Sequence, residues 1–107
     1  MSDHDRISAF KEKVENDPGN VFYRFSYGQA LFEEGRYDEA LEHLEHCALS
    51  RADWMIPRIL MGKACIAIGR QEPARAWLGE AMQLAVEQNH EDPQVEIRRL
   101  LKDIDEA

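Results

Sequence analysis

The stretch FEEGRYDEAL, residues 32–41, places one glycine between two runs of helix-forming residues. A shift of 34 positions brings this stretch onto IAIGRQEPAR, residues 66–75, and superposes Gly35 on Gly69. Glycine readily adopts the left-handed backbone conformation that closes many helices, so each glycine is predicted to end one helix of an antiparallel pair. The quoted stretch is therefore interpreted as a corner between two helices.

The same register extends without a gap over residues 21–54 and 55–88. Most matches are small residues or turn formers, which two closely packed helices need at fixed positions. The identical pairs are Arg24 and Arg58, Gly28 and Gly62, Ala30 and Ala64, Gly35 and Gly69, Arg36 and Arg70, Ala40 and Ala74, and Leu44 and Leu78, while Cys47 meets the small residue Ala81. The sequence thus predicts two consecutive repeats of two helices each.

Capping residues predict where these helices begin and end. Asn20 is a suitable N-cap for the first helix of repeat one, and Asp53 for that of repeat two. Pro73 is predicted in the first turn of the last repeat helix, where its missing N–H costs little. Asn89 is predicted to stop that helix.

Two glycines fall in the middle of predicted helices. Gly28 and Gly62 each cost roughly 1 kcal/mol relative to alanine there, so a compensating contact is expected. A close approach of the two helices of each hairpin would supply it, with Ala40 or Ala74 facing the glycine.

These residues resemble the tetratricopeptide repeat (TPR), whose period is 34 residues. The positions that carry the resemblance are Gly28, Gly35, Tyr37, Ala40, Leu44 and Cys47 in the first unit, and Gly62, Gly69, Ala74, Leu78 and Ala81 in the second. The second unit departs from the family at Gln71, which stands where Tyr37 stands in the first. The resemblance implies an all-α fold, a right-handed superhelical stack of antiparallel helix hairpins with about six helices.

The flanks are interpreted as the ends of this stack, so that residues 1–107 form a single TPR-like domain. Residues 5–16 carry an apolar stripe and are predicted to form an N-terminal helix. Residues 92–105 are predicted to form an amphipathic C-terminal capping helix, with Asp92 as its cap and Pro93 as its start. A repeat array needs such a cap because its last hairpin leaves an apolar face open.

The TPR resemblance implies a binding surface. In TPR proteins the first helices of successive repeats line a concave surface that contacts a peptide or a helix of a partner. The matching positions here are Phe22, Phe25, Gln29, Phe32, Ile56, Ile59, Lys63 and Ile66. One TPR subgroup binds a C-terminal carboxylate with lysine and asparagine, but Phe25 and Leu60 occupy those positions here. The groove is therefore predicted to be apolar, with Lys63 and Gln29 as its polar groups.

The same apolar side chains have a second interpretation. Phenylalanine and isoleucine at helical spacing also pack in cores, and this alternative applies most to Phe25 and Ile59. Three of these side chains, if exposed, would form a patch large enough to indicate a partner.

No pattern in the sequence indicates catalysis or a cofactor. His43 and His46 stand three apart, with Glu39 and Glu42 one turn earlier, but no third ligand accompanies them and no metal site is predicted. The chain has no nucleophile paired with a base at a known spacing and no glycine-rich phosphate loop.

Composition and charge narrow the class of partner. A net charge of -8 disfavours nucleic acid, and no apolar run is long enough to span a membrane. Seven acidic and two basic residues lie in residues 31–53, against one acidic and four basic residues in residues 55–78. Two interpretations remain open: solvated helix faces, or an acidic and a basic patch that steer a partner or a second copy.

The predicted function is that of a non-catalytic adaptor or scaffold that binds a peptide or helix of a partner protein. Self-association through the same apolar surface is the alternative. The polar, acidic N-terminus has no leader pattern, and Cys47 and Cys65 lack the spacing of a redox or metal pair. The chain is therefore expected to act in a cytoplasm, most simply a bacterial one.

Overall fold

The structure is a computed structural model that describes residues 3–106, with side chains from Asp5 onward. Residues 3–106 form six helices and no strand, which confirms the all-α prediction. The helices are α1 (Asp3–Asn16), α2 (Val21–Glu33), α3 (Tyr37–Ser50), α4 (Met55–Ala67), α5 (Gln71–Glu87) and α6 (Glu91–Glu106).

The two glycine corners have the conformation that the sequence predicts. Gly35 has φ +82° and Gly69 has φ +78°, in the left-handed region that suits glycine. After each glycine the next N–H returns to the helix, from Arg36 to the Leu31 carbonyl at 2.9 Å and from Arg70 to the Cys65 carbonyl at 2.8 Å. This is the bond pattern of a Schellman helix end, so α2 and α4 stop where the repeats predict.

Helix starts follow the sequence only in part. The Asn20 side chain accepts hydrogen bonds from the N–H groups of Phe22 and Tyr23, at 3.0 and 3.1 Å, which confirms it as the cap of α2. The prediction for Asp53 is wrong, because Trp54 occupies the N-cap position of α4 without a side-chain capping bond. Asp53 lies one residue earlier, where its carbonyl accepts a 2.9 Å hydrogen bond from Gln88.

The two predictions for the starts and ends of the later helices have different outcomes. Asn89 has φ +58°, a left-handed conformation just beyond α5, which confirms it as the stop. The prediction that Asp92 caps α6 is wrong, because the helix already begins at Glu91 and Asp92 lies within its first turn. A carboxylate there still interacts favourably with the positive end of the helix.

Helix packing separates an inner from an outer set of helices. Neighbouring helices pack in chain order, and in addition α2 contacts α4 and α4 contacts α6. Within residues 3–106, no corresponding contact joins α1 to α3 or α3 to α5. The inner helices α2, α4 and α6 therefore lie closer together than the outer ones, as a TPR-like superhelical stack requires.

The mid-helix glycines face leucines, so the predicted contact with Ala40 or Ala74 is wrong. A Cβ atom on Gly28 would lie 3.2 Å from Cγ of Leu44, and one on Gly62 would lie 2.5 Å from Cγ of Leu78. Both leucines are fully buried and fill the space that the absent side chains leave. The close approach of the helices is therefore real, but it accommodates a large side chain one helical turn further along.

Two apolar clusters form a continuous interior. The members of the first are Ile7, Val14, Tyr27, Ala30, Leu31, Ala40, Leu44, Ala48 and Met61. The members of the second are Met55, Ile59, Cys65, Ala74, Leu78, Ala81, Ala85, Ile97 and Ile104. Leu41 and Trp77 pack against both clusters, so the two hairpins are held together by a shared core. No helix in the described part of the chain is long and apolar enough to cross a membrane.

A buried arginine ties the two hairpins together. Arg58 donates to the carbonyls of Ala48 at 3.0 Å and Trp54 at 2.6 Å, at the end of α3 and the start of α4. It also forms an ion pair with Glu80 at 3.4 Å. A buried arginine so fully hydrogen-bonded satisfies carbonyls that the end of α3 leaves free.

Candidate partner-binding surface

Four apolar side chains lie together where the inner helices begin, and we call Phe22, Trp54, Ile56 and Pro93 the apolar rim. Phe22 on α2 is 58% exposed and Ile56 on α4 is 45% exposed. The ring of Trp54 links the helices, since its centroid lies 5.7 Å from that of Phe22. Trp54 and Pro93 are half-buried, so the rim is a partly exposed apolar surface that spans α2, α4 and α6.

Two adjoining cavities open along the rim between α4 and α6. The larger, of about 320 Å³, is lined by Asp53, Trp54, Met55, Ile56, His90 and Pro93, together with Gln88. The smaller, of about 220 Å³, shares Ile56 and Pro93 with it and adds Ile59, Asp92 and Glu96. Apolar walls with a few polar groups at the edge are typical of sites that bind a side chain or a small ligand.

The structure brings together only some of the eight positions that the TPR resemblance implies. Phe22 and Ile56 are exposed on the rim, and the half-buried Phe25 packs on Trp54 with ring centroids 4.9 Å apart. Gln29 is exposed further along α2. These positions are the part of the predicted surface that remains available to a partner.

The other four positions are engaged within the chain. Ile59 is only 4% exposed and belongs to the second core cluster. Phe32 and Ile66 are half-buried against the two clusters. The ammonium group of Lys63 forms a 3.3 Å ion pair with Glu96 of α6.

Sequence reasoning missed Trp54 and Pro93 as parts of this surface. It did not assign Trp54 to the binding surface, and it placed Pro93 at the start of the last helix. The sequence did contain one signal, a tryptophan directly after a predicted N-cap. A side chain at the start of a helix can contact neighbouring helices and need not face the core. Pro93 belongs to the surface because α6 packs on α4, and the repeat pattern does not encode that placement.

The basic residues of residues 55–78 do not form a separate patch. All four pair with carboxylates of the chain, namely Arg58 with Glu80, Lys63 with Glu96, Arg70 with Asp38 and Arg75 with Asp105. The interpretation of a free basic patch that steers a partner is therefore not supported. The three pairs other than that of the buried Arg58 contribute little to stability, but all four neutralise the positive charges of this segment.

The cysteines and histidines do not provide a chemical site in the described residues. Burial raises the pKa of Cys47 to about 11, and burial also raises the pKa of Cys65, so both thiols stay protonated at neutral pH. The His43 ring packs against that of Tyr27 in a tilted arrangement, with ring centroids 4.7 Å apart. Burial, followed by the charge of Arg24, lowers the pKa of His43. No group of three metal-ligating side chains occurs in this part of the chain.

Comparison with solved structures places the chain among TPR-like helical folds. PcrH from Pseudomonas aeruginosa matches with a TM-score of 0.84 at 20% identity, over 94% of this chain and 77% of that protein. Protein BPP2914 from Bordetella parapertussis matches with a TM-score of 0.81 at 18% identity, over 94% of this chain and 87% of that protein. No protein-family model matches the sequence, and neither does any curated protein. At these identities the likeness establishes the fold alone.

Proposed function

We propose that this protein is a non-catalytic TPR-like interaction module that binds a segment of a partner protein on its inner face, at the apolar rim. The observation that carries the proposal is the exposure of Phe22 and Ile56 on successive inner helices, joined through Trp54. Contiguous exposed apolar surface of this kind marks interaction sites, and buried aromatic anchors supply most of the binding energy of an interface.

The size of the rim sets the expected affinity. Complete burial of one large apolar side chain contributes about 1.5–3 kcal/mol, and ordering of a flexible segment offsets part of the total. Two or three anchors then correspond to a dissociation constant in roughly the micromolar range. The module is thus suited to a reversible complex.

The proposal also covers the class of partner and the cellular compartment. A net charge of -8 opposes binding to the phosphates of nucleic acid, so a protein partner fits the charge better. Cys47 and Cys65 are buried free thiols, which suits a reducing compartment such as a bacterial cytoplasm. An adaptor with this surface needs no cofactor.

Selection from a displayed library of random peptides on the immobilised chain tests the proposal. The recovered peptides are then titrated against the native chain and against a Phe22→Glu, Ile56→Glu variant. A matched control is Leu49→Glu, Val86→Glu, because these side chains are 74% and 54% exposed on the outer helices. We expect the rim variant to bind at least tenfold more weakly and the control to bind like the native chain.

Two results would contradict this proposal. One is a selection that yields no binding peptide, and the other is a set of peptides that bind the rim variant as tightly as the native chain. Circular dichroism and thermal melting of each variant establish that it is folded, so that a loss of binding reflects the surface.

A further inference from the structure

The geometry points to the kind of segment that the rim accepts, namely one in which an aliphatic side chain is flanked by lysine or arginine. This inference rests on the proposed function and adds the chemistry of the ligand. Its basis is the combination of apolar cavities with unpaired carboxylates at the α4 and α6 end of the rim.

An aliphatic side chain suits the shape and the lining of the cavities. The larger cavity holds about 320 Å³, at the lower end of the range for ligand pockets, and Trp54, Met55 and Ile56 form much of its wall. The smaller cavity continues it past Ile56 and Pro93. The space accommodates one or two side chains of a docked segment, whereas a whole helix would rest on the rim outside it.

Each of the two cavities has in its lining one carboxylate without an ion pair among residues 5–106. Asp53 lines the larger cavity and Asp92 the smaller, and both residues are exposed. Neither carboxylate has an ion pair with a described side chain, while Glu96, the third acid of the lining, is held by Lys63. A cation next to the apolar anchor would therefore meet two carboxylates that form no ion pair with the described side chains.

The position of the nearby positive charge also favours a cation of the partner at the α6 end of the rim. Arg51 lies close to the rim, with its guanidinium over the rings of Phe22 and Trp54, 5.6 and 5.5 Å from their centroids. It belongs to the α2 end of the rim and lines neither cavity. Cations on a partner are thus favoured at the α6 end, and the overall charge of -8 attracts them over longer distances.

The test repeats the peptide selection on three forms of the chain. They are the native chain, an Asp53→Asn, Asp92→Asn variant, and a Glu12→Gln, Glu15→Gln control that removes the same charge from the exposed face of α1. Asparagine is chosen because it retains the shape of aspartate and hydrogen-bonding capacity at the start of α6.

Peptides selected on the native chain and on the control should be enriched in lysine or arginine within two residues of an aliphatic side chain. Peptides selected on the Asn variant should lack this enrichment. Peptides recovered on the native chain should bind the Asn variant roughly three- to tenfold more weakly, the range for two partly exposed charge contacts. Their binding to the control should be unchanged.

Three results would overturn the inference. The first is rim-binding peptides without basic enrichment, and the second is equal affinity for the native chain and the Asn variant. The proposed function survives either of these two results as long as the Phe22→Glu, Ile56→Glu variant still binds the peptides more weakly. The third is a dimer in sedimentation that the Phe22→Glu, Ile56→Glu substitutions abolish, since a second copy would then occupy the rim.

Discussion

Gly28 and Gly62 occupy matching positions in α2 and α4, but their surroundings differ in tightness. A Cβ at Gly28 would lie 3.2 Å from Leu44 and 3.3 Å from Cβ of His43, so both neighbours would have to shift by only a few tenths of an ångström. A Cβ at Gly62 would approach Cγ of Leu78 to 2.5 Å, which no van der Waals contact allows. Both leucines are fully buried, so the difference lies in the distance: Leu78 would have to move much further than Leu44 within a packed core.

Alanine substitution distinguishes the two glycines. Gly62→Ala should lower the free energy of unfolding by about 1–3 kcal/mol, as overpacked cores do. Gly28→Ala should stay within about 1 kcal/mol of the native chain, because the gain in helix propensity offsets the mild crowding. Urea denaturation of both variants measures the difference, and equal effects would contradict the packing at Gly62.

We expect His43 to make the stability of the folded chain sensitive to pH. Its pKa is lowered in the folded chain by burial first and by the charge of Arg24 second, while Glu42 and Glu39 oppose the shift. A lowered pKa means that the folded state resists protonation. The stabilising contribution is complete above the unfolded pKa of about 6.5 and is lost as the pH falls through the folded pKa.

Urea denaturation at pH 7.5 and pH 5.0 checks this sign. The native chain should lose more stability between the two pH values than a His43→Gln variant, which keeps a polar side chain without the titrating group. Glu39 should not obscure the effect of His43, because the hydrogen bonds that its carboxylate accepts from Arg36 hold its pKa below the ordinary value. Identical pH dependence of the two proteins would show that His43 makes no such contribution.

At the scale of helices, Arg58 and Arg24 occupy equivalent repeat positions with unequal roles. Arg58 is buried and bridges the end of α3 to the start of α4, whereas Arg24 is half-buried and its Nε atom has no hydrogen-bond partner among the described residues. The opposite helices also differ, since Glu80 of α5 pairs with Arg58 and the matching position in α3 is His46.

The substitution Arg58→Met should destabilise the chain by about 2–4 kcal/mol, because it leaves buried carbonyls without donors. Arg24→Met is the matched control and should cost less than about 1 kcal/mol. The two free energies of unfolding are measured under the same conditions. A control that costs as much as Arg58→Met would contradict the assigned role.

The helix ends show how far local sequence predicts this fold. Gly35, Gly69 and Asn20 act through their own backbone or through bonds to the next few residues, so their roles could be predicted. The start of α4 could not, because Trp54 takes the N-cap position while its ring packs against Phe22 and Phe25 of another helix. The start of α4 is therefore set by contacts between helices and not by local capping preference.

For the molecule as a whole, the repeat pattern predicts a surface but not its final extent. The exposure of Phe22 and Ile56 agrees with a binding role, which stays a prediction. Burial of Ile59 and pairing of Lys63 depend on where α6 lies, and no repeat position encodes that. The terminal helix thus removed positions of α4 from the predicted surface, while Phe22, Gln29 and Ile56 stay exposed.

Oligomeric state separates partner binding from self-association. A net charge of -8 makes two copies repel each other, and the rim is small compared with the interface of a stable dimer. We expect a monomer in sedimentation equilibrium at about 100 μM chain and moderate salt. A concentration-dependent dimer would favour self-association instead.

The most direct test of the proposed binding surface follows the two tryptophan indole N–H signals by NMR while a selected peptide is added. Trp54 lies on the rim, and Trp77 packs against both core clusters and serves as the internal reference. A shift of the Trp54 signal that saturates with the peptide, with the Trp77 signal unchanged, is the predicted result. Saturable binding that leaves the Trp54 signal in place would contradict the account.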